Sequence, residues 1–393
     1  MKVCIVVGYF DSFSGYQEVA LAQALAVKHD VIVISGNIVS PIFTDEHLLR
    51  IGHQRTYDPG VTNVNGIKVL RLRSFELRSM VLARKVSRAV IEEAPELVIQ
   101  IMPGQLLPAL ATSATKGRFS VVLFGDNRAM WDSLGTMRRL VKWIVFEASK
   151  GFLYRYSVRH ADKVFGYTPN TISRLRPFVG SKPHAVLPLS FNEETFYLNE
   201  RARNDFRAKW GIGHDERVIV LAGKYKREKR FEEVIAGFAD ARNVGAPLKL
   251  VVVGSTEAAL SGALDGLGDL RRHVIVIPFA SQREMNEVFN GGDVGIWPAM
   301  PAVTIQQAMG TGLYVVIPDN DLVSHLVKAG TTGKCVEGLE KFAPSEISQL
   351  LQKTALCSSL PFDRGGREER VNLNSWLRSD RVAGSLVELA SQV

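Results

Sequence analysis

A chain of 393 residues, 46% hydrophobic and 22% charged, is long enough for two globular domains and too apolar to be a disordered one. Its 48 Lys and Arg against 40 Asp and Glu leave a formal net charge of +8, which favours nucleotides, phosphorylated lipids, nucleic acid or an acidic membrane face as partners. The three widely spaced cysteines, Cys4, Cys335 and Cys357, form no CxxC pair and no Cys/His cluster; they read as reduced thiols in a cytoplasmic setting, without a metal site.

The N-terminal apolar run, Val3 to Val7, is too short for the core of a secretory leader. No stretch approaches the roughly 18 apolar residues of a membrane span, so the expectation is a chain neither secreted by that route nor membrane-spanning. The run "KVCIVVG" (2–8) is a strand. "YQEVALAQALAVKH" (16–29) is an amphipathic helix whose Val19, Ala22, Leu25 and Ala26 share one face. Further strands fall at 30–35, 67–72, 96–102, 119–125 and 161–168, with helical patterns between several of them. The pattern then restarts, with strands at 216–223, 248–255, 273–279, 293–298 and 313–318. Strands separated by helix-length segments predict an α/β fold of two doubly wound parallel arrays, joined near 187–197.

In such sheets ligands sit beyond the carboxyl ends of the strands, where helix N-termini point outward. The first turn of this kind, "GYFDSFSGYQE" (8–18), places Gly15 for a close backbone approach or for a plain tight turn, with Ser12 or Ser14 as a helix cap. It is not GxGxxG, and no acidic residue closes the following strand, which speaks against a nicotinamide dinucleotide. The corresponding turn of the second array, "GKYKREKRFEEVIAGFA" (223–239), carries Lys224, Lys226, Arg227, Lys229 and Arg230 just before a helix. A helix N-terminus is already electropositive, so lysines there are unfavourable unless an anion sits between them. The competing reading is a solvated basic face with Glu228, Glu232 and Glu233 as partners.

The same turn resembles the basic strand-to-helix turn of retaining, nucleotide-sugar-dependent glycosyltransferases of the GT-B fold, the group 1 or family 4 enzymes. Other segments extend the resemblance in the same order over most of the chain: "RHADKVFGYTPNTISRL" (159–175), "VLPLSFNEETFY" (186–197), "LKLVVVGS" (248–255), "HVIVIPFASQREMNEVFNGGDVGIWP" (273–298) and "IQQAMGTGLYVVIPDNDLVSHLVKAGTTGKCVE" (305–337). The resemblance implies two Rossmann-like domains facing a central cleft: an acceptor-side domain at 1–190, a nucleotide-sugar domain at 191–370, and a C-terminal helix at 371–393 crossing back to the first. It implies transfer of a hexose from a UDP-, GDP- or similar nucleotide sugar to an acceptor hydroxyl, with retention and without a bound metal or other cofactor. Lys224 and Lys229 then bind the donor diphosphate, together with the Gly15 turn. Pro278 and Phe279 fall at the nucleobase, although a core role suits Phe279 equally.

Two departures bear on mechanism. Where the family shows paired Glu residues around the ribose, this chain reads "WPAMPAVTIQQAMG" (297–310), with Gln307 at the second position and no counterpart of the first. Gln307 still offers a donor and an acceptor to ribose hydroxyls, and the amides of Val303, Thr304 and Ile305 open a helix suited to phosphate or sugar; ordinary helix polarity is the alternative. Where relatives carry a His near the reacting centre, the chain reads "GDNRAMWD" (125–132), leaving Asp126 or Asn127 as the catalytic candidate, or Asp126 as a helix cap.

The segment 136–160 interleaves Arg138, Arg139, Lys142, Lys150, Arg155 and Arg159 with five aromatic residues. It reads either as a core helix with a solvated basic face or as a surface for an anionic membrane, where a lipid-linked acceptor resides. The expected partners are a nucleotide sugar and a saccharide or lipid-linked acceptor in cell-surface polysaccharide or glycolipid assembly, at the inner face of the membrane, and no nucleic acid. Because the Glu and His are missing, a catalytically silent partner subunit of the same fold is a second reading, and a sugar-nucleotide epimerase a third.

Overall fold

The structure, a computed structural model, describes residues 1–391 except 14, 15, 44, 78, 79, 103, 104, 126–135, 279, 300, 329, 358 and 359, and the backbone alone at 46, 47 and 50. The chain forms two compact units. One comprises Met1–Pro188 with Ser379–Val393, the other Leu189–Arg378.

The first unit holds β1 (Lys2–Val6), β2 (Asp30–Gly36), β3 (Gly60–Val64), β4 (Ile67–Leu72), a small hairpin of β5 (Phe75–Leu77) and β6 (Met80–Leu82), then β7 (Leu97–Ile101), β8 (Phe119–Phe124), β9 (Lys163–Gly166) and β10 (His184–Val186). Eight of these make one sheet in the order β10-β9-β8-β7-β1-β2-β4-β3, parallel throughout except for the β3/β4 hairpin. The central strands are buried on both faces, as continuous Val/Ile runs such as "VCIV" require when helices cover both sides of a parallel sheet. The first helix begins at Gln17 rather than at 16 and ends at Ala26. Its N-cap is Tyr16, with no side-chain cap, so Ser12 does not cap it. The C-terminal helix Ser379–Ser391 belongs to this unit: Val382, Ala383 and Leu386 share the core of Val19 and Leu25, and Lys163 Nζ donates to Leu389 O at 2.6 Å.

The second unit holds β11 (Arg217–Ala222), β12 (Leu248–Val253), β13 (Val274–Ile277), β14 (Val294–Ile296), β15 (Tyr314–Pro318) and β16 (Gly333–Val336) in one parallel sheet, ordered β13-β12-β11-β14-β15-β16. Alternation along β11 splits its side chains between two cores. Ile219 and Leu221 pack with Phe231 and Val234, while Val218, Val220 and Ala222 pack with Trp297, Ile305 and Met309.

Buried cations hold the amino-terminal edge of β14. Asp293 accepts from Arg203 Nη2 (2.6 Å), Arg207 Nη1 (3.4 Å) and the Val218 amide (2.8 Å). On the helix Arg364–Leu373, Arg367 donates to the carbonyls of Gly292 (2.7 Å), Phe289 (3.3 Å) and Thr311 (3.0 Å), and Arg370 to Gly312 (2.7 Å) and Pro361 (2.8 Å). A buried guanidinium is tolerable when most of its donors are used this way; Arg367 Nε and Arg370 Nη2 alone of these donors have no partner among the described residues. The network fixes one edge of the sheet and leaves the opposite, carboxyl edge for ligand.

Candidate functional site

In the second unit the chain runs outward from β11 through β12 and β13, then returns to place β14 on the other side of β11. The connections after β11 and β14 therefore leave to opposite faces and open a crevice at their carboxyl ends, the place where doubly wound sheets take ligands.

Gly223 ends β11 with φ +142°, a conformation other residues rarely adopt. A Cβ there would also stand 2.8 Å from Lys229 Nζ, and one on Gly254, after β12, only 2.6 Å from the Gly223 carbonyl oxygen. The two glycines thus let the backbone fold tightly around the lysine. Across the crevice, buried Trp297 follows β14 and donates through Nε1 to Ala222 O (2.9 Å) and Thr304 Oγ1 (3.0 Å). The Thr304 hydroxyl in turn donates to Ala222 O (3.4 Å). These bonds pin the start of the helix Val303–Gly310 to the end of β11, and Lys229, Phe231, Trp297, Pro298 and Ala299 line a small pocket there.

Lys229 closes a short 3-10 turn, Arg227–Lys229, before Arg230 enters the helix Phe231–Asn243 in a left-handed conformation. Burial lowers the Lys229 pKa from the ordinary lysine value, and the charges of Lys226 and Lys224 lower it further. Among the described residues no carboxylate pairs with it. A half-buried ammonium facing two further cations and an uncapped helix N-terminus is destabilised, and an anion placed among them relieves all of these terms together. Lys224, by contrast, is exposed.

The remaining cations of the turn separate by role. Lys226 and Arg227 are exposed. Arg230 is not solvated charge: it is half-buried, donates to Phe342 O (2.8 Å) and pairs with Glu233 (3.3 Å), tying the turn to the rest of the unit. Tyr225 donates its hydroxyl to Glu232, which removes that carboxylate as a partner for the lysines.

The helix Val303–Gly310 starts from Ala302 without a side-chain cap. The Ile305 amide donates to Ala302 O (3.1 Å), so the Val303 and Thr304 amides are the first-turn donors left over. Gln306 and Gln307 are both buried. The Gln306 side-chain amide is satisfied by donating to Ala302 O (3.1 Å) and Val303 O (3.3 Å). Gln307 is only 8% exposed and has no hydrogen-bond partner among the described residues, which leaves its donors and acceptor for something else. Pro278, exposed, follows β13 on the same carboxyl edge, two strands and so roughly 10 Å from β11. The other sequence-based candidates, Gly15, Asp126, Asn127 and Phe279, lie outside the described residues.

The first unit has the equivalent switch point between β1 and β7. There Gly8 abuts Gln105, whose Oε1 would lie 1.7 Å from a Cβ at position 8. Sequence reading missed two acids near this edge. Asp11 is buried and accepts from the Ser40 amide (3.0 Å) and the Tyr57 hydroxyl (3.0 Å). Glu18, in the first helical turn, has its carboxyl pushed up to about 7 by burial, with the charge of Asp11 adding to the rise. Nothing in the sequence distinguishes Glu18 from an ordinary first-turn acid.

Comparison with known proteins agrees with this geometry. Residues 202–357 match the family described as Glycosyl transferases group 1, a span that contains the whole crevice of the second unit. A lipopolysaccharide 1,2-N-acetylglucosaminetransferase of Salmonella typhimurium (strain LT2) is 24% identical over 161 residues; the match spans 38% of this chain and 42% of that relative's length. Among solved structures, HepE of Anabaena in complex with UDP-glucose superposes with a TM-score of 0.69 at 15% identity, covering 100% of both chains. Sucrose-phosphate synthase from Thermosynechococcus elongatus gives 0.68 at 17% identity, covering 100% of this chain and 98% of the other. The chain has the GT-B fold, with two Rossmann-like domains.

Proposed function

We propose that the protein transfers a sugar from a nucleoside diphosphate sugar to an acceptor hydroxyl. The observation that carries this reading is Lys229, a half-buried ammonium without a carboxylate partner among the described residues, placed by a glycine turn at the switch point of a Rossmann-like sheet. Transfer breaks the bond between the anomeric carbon and the β-phosphate oxygen, and the electron pair stays on the departing diphosphate. Lys229, held at the turn, and the exposed Lys224 supply two positive charges against that growing negative charge, so no divalent cation is required. The acceptor oxygen takes the leaving group's place on the anomeric carbon and gives up its proton.

The rest of the edge fits the rest of a donor. Gln307 has unspent hydrogen-bonding groups for ribose hydroxyls, and the Val303 and Thr304 amides for phosphate or sugar oxygens. Pro278, after β13 on the same carboxyl edge, is assigned to the nucleobase. The similarity to a lipopolysaccharide N-acetylglucosaminetransferase and to a UDP-glucose complex supports a UDP-hexose donor and a saccharide acceptor in cell-surface glycan assembly. Retention of configuration and catalysis by Asp126 or Asn127 complete the proposal.

The deciding experiment is isothermal titration with UDP, GDP and their hexose conjugates on the native chain and on Lys224→Ala and Lys229→Ala. The expected result is binding of at least one nucleotide, weakened in both variants, with turnover that persists in EDTA. Equal affinity in all three proteins would show that the diphosphate sits elsewhere, and failure of every nucleotide to bind would favour a catalytically silent role.

A further inference from the structure

The second unit carries a groove of about 790 Å³ between the helix Glu200–Lys209, the helix Gln282–Gly291 and the connecting residues 194–199. It shares no lining residue with the pocket at Lys229. Its wall is held from behind. Asn286 Oδ1 accepts from the Tyr197 amide (3.2 Å), Asn290 Oδ1 accepts from the Asn199 amide (2.8 Å), and Asn290 Nδ2 donates to Tyr197 O (3.0 Å). Asn199 in turn caps the helix Glu200–Lys209, its Oδ1 accepting from the Ala202 amide at 3.0 Å. Buried Phe206 packs so closely on Gly291 that a Cβ there has no room. A groove fixed in this way takes a ligand without first having to order itself.

The lining is polar and balanced in charge: Glu194, Asp205 and Glu287 are matched by Arg201, Lys209 and Arg283. Two contacts between them are loose, 3.7 Å from Arg201 to Asp205 and 3.6 Å from Arg283 to Glu287, beyond hydrogen-bond length, so these groups keep donors and acceptors for a ligand. Asn286 is more telling. It is 5% exposed; its Oδ1 accepts from Tyr197 and from Asn290, while its Nδ2 has no partner among the described residues. A buried donor left over in a cavity wall calls for an acceptor from outside the fold. Tyr197, 45% exposed, adds an aromatic face to the same groove. Such a surface offers no net field to a polyanion or polycation and too little apolar wall to a lipid. Hydroxyls both donate and accept, and so meet carboxylate, guanidinium and amide side by side, while the C–H face of a sugar ring rests on the phenol.

We infer that this groove binds a neutral oligosaccharide, through Tyr197, Asn286 and the charged side chains beside them, at a place separate from the crevice assigned to the nucleotide. On a protein that transfers sugar to a saccharide acceptor, a second hold on the glycan keeps it at high local concentration between transfers. That use of the groove rests on the proposed transfer; the binding itself does not, since it concerns other residues and is read without turnover.

The test is saturation-transfer NMR of the full chain with maltotetraose, cellotetraose and laminaritetraose, with sulfated maltotetraose, and with a capped, uncharged peptide of similar length. At least one neutral tetrasaccharide should bind, with a Kd on the order of 1 mM, and the sulfated sugar and the peptide should not. Binding should persist under saturating UDP and in Lys229→Ala, so that a failure here and a failure of the nucleotide reading are told apart. Tyr197→Ala should weaken it about fivefold through the lost ring. Arg283→Ala, at an exposed position, and Asn286→Asp, which keeps the oxygen that holds Tyr197 and removes the spare donor, should each weaken it about threefold. Unchanged melting temperatures for Tyr197→Ala and Arg283→Ala show that these variants fold. Silence of all three neutral tetrasaccharides, equal binding of the sulfated sugar or the peptide, displacement by UDP, or an affinity that none of the three groove substitutions alters would each overturn the proposal.

Discussion

The two units share the order of their central parallel strands and, among the described residues, place different side chains at the carboxyl edge of the switch point. At the second unit's switch point the carboxyl edge is cationic and glycine-lined, with Lys224 and Lys229 at the turn after β11 and Gly223 and Gly254 beneath them. At the first unit's switch point the edge carries Asp11 and Glu18, with Tyr16 and Tyr167 close enough to feel the Glu18 charge. A doubly wound sheet supplies crevices and helix N-termini wherever it occurs, but the residues at its edge decide what is bound. A cationic edge suits a diphosphate; an edge of acids and phenols suits hydroxyl-bearing molecules.

The contrast breaks most directly at Lys229. Replacing it with Met should weaken nucleotide diphosphate binding about a hundredfold, the loss of charge-assisted hydrogen bonds worth roughly 3 kcal/mol, as read by calorimetry. The same substitution should raise the melting temperature of the ligand-free protein near neutral pH. The folded-state pKa of Lys229 is lowered, so the folded protein holds this proton less tightly than the unfolded chain. The penalty is fully present below the folded pKa and fades as pH rises toward the ordinary lysine value. A lysine that lost nucleotide binding and also destabilised the free protein when removed would be structural instead.

Next in size is a comparison of glycines. Gly223→Ala should cost about 2 kcal/mol in urea unfolding, because alanine is strained at φ +142° and its Cβ meets Lys229 Nζ. Gly8→Ala should cost about 1 kcal/mol, since the obstacle there is the movable end of Gln105 and φ is not positive. Equal costs would remove the argument that the second unit's turn is the more specialised.

Glu18→Gln sharpens the acidic side. Below pH 4.5 both the folded and unfolded states carry the proton, so Glu18 then costs nothing. Between 4.5 and about 7 the unfolded chain ionises first, and stability falls as pH rises. Above that window the full penalty applies, about 2 kcal/mol after allowance for solvent screening. The variant should therefore melt higher than the native chain above pH 7 and equally at pH 4.5. A pH-independent difference would mean that packing, not ionisation, separates the two.

How far the sequence anticipates this structure depends on whether the cause is local. The strands β11 and β12 are legible because "RVIVLA" and "LKLVVV" are apolar throughout, as strands covered on both faces must be. The strand β3, "GVTNV", is almost wholly exposed and carries no such run, although the Asn65-Gly66 pair, both at positive φ, marks its turn into β4. The basic turn at 223–230 stands out because five cations in eight residues are unusual anywhere. What the sequence does not show is which of them the fold consumes: Arg230 is tied to Phe342, more than a hundred residues away. The same holds for Arg367 and Arg370, which look like surface charge in "RGGREERVNL" yet are fully buried against carbonyls of residues 289 to 361. Long-range hydrogen bonds have no signature in spacing or composition.

Gln307 lies between these extremes, and it gives the finest test of the comparison. Its position in the sequence suggests a ribose contact through resemblance alone, while the structure adds a physical reason: a side chain 8% exposed, without a partner among the described residues, keeps its hydrogen-bonding groups available to a ligand. Neighbouring Gln306, equally buried, satisfies its amide on Ala302 and Val303. If ribose hydroxyls complete Gln307, then Gln307→Leu should weaken nucleotide binding roughly tenfold, about 1.4 kcal/mol, while stability of the free protein stays level, because no hydrogen bond within the described residues is lost. Gln307→Glu keeps acceptors for the ribose and should retain binding within about threefold. Gln306→Leu should do the opposite of Gln307→Leu, lowering stability and sparing affinity. Were Gln307→Leu instead to destabilise the free protein and leave nucleotide affinity intact, its polar end would be serving the fold, and the donor would rest on the lysine turn without help from this helix.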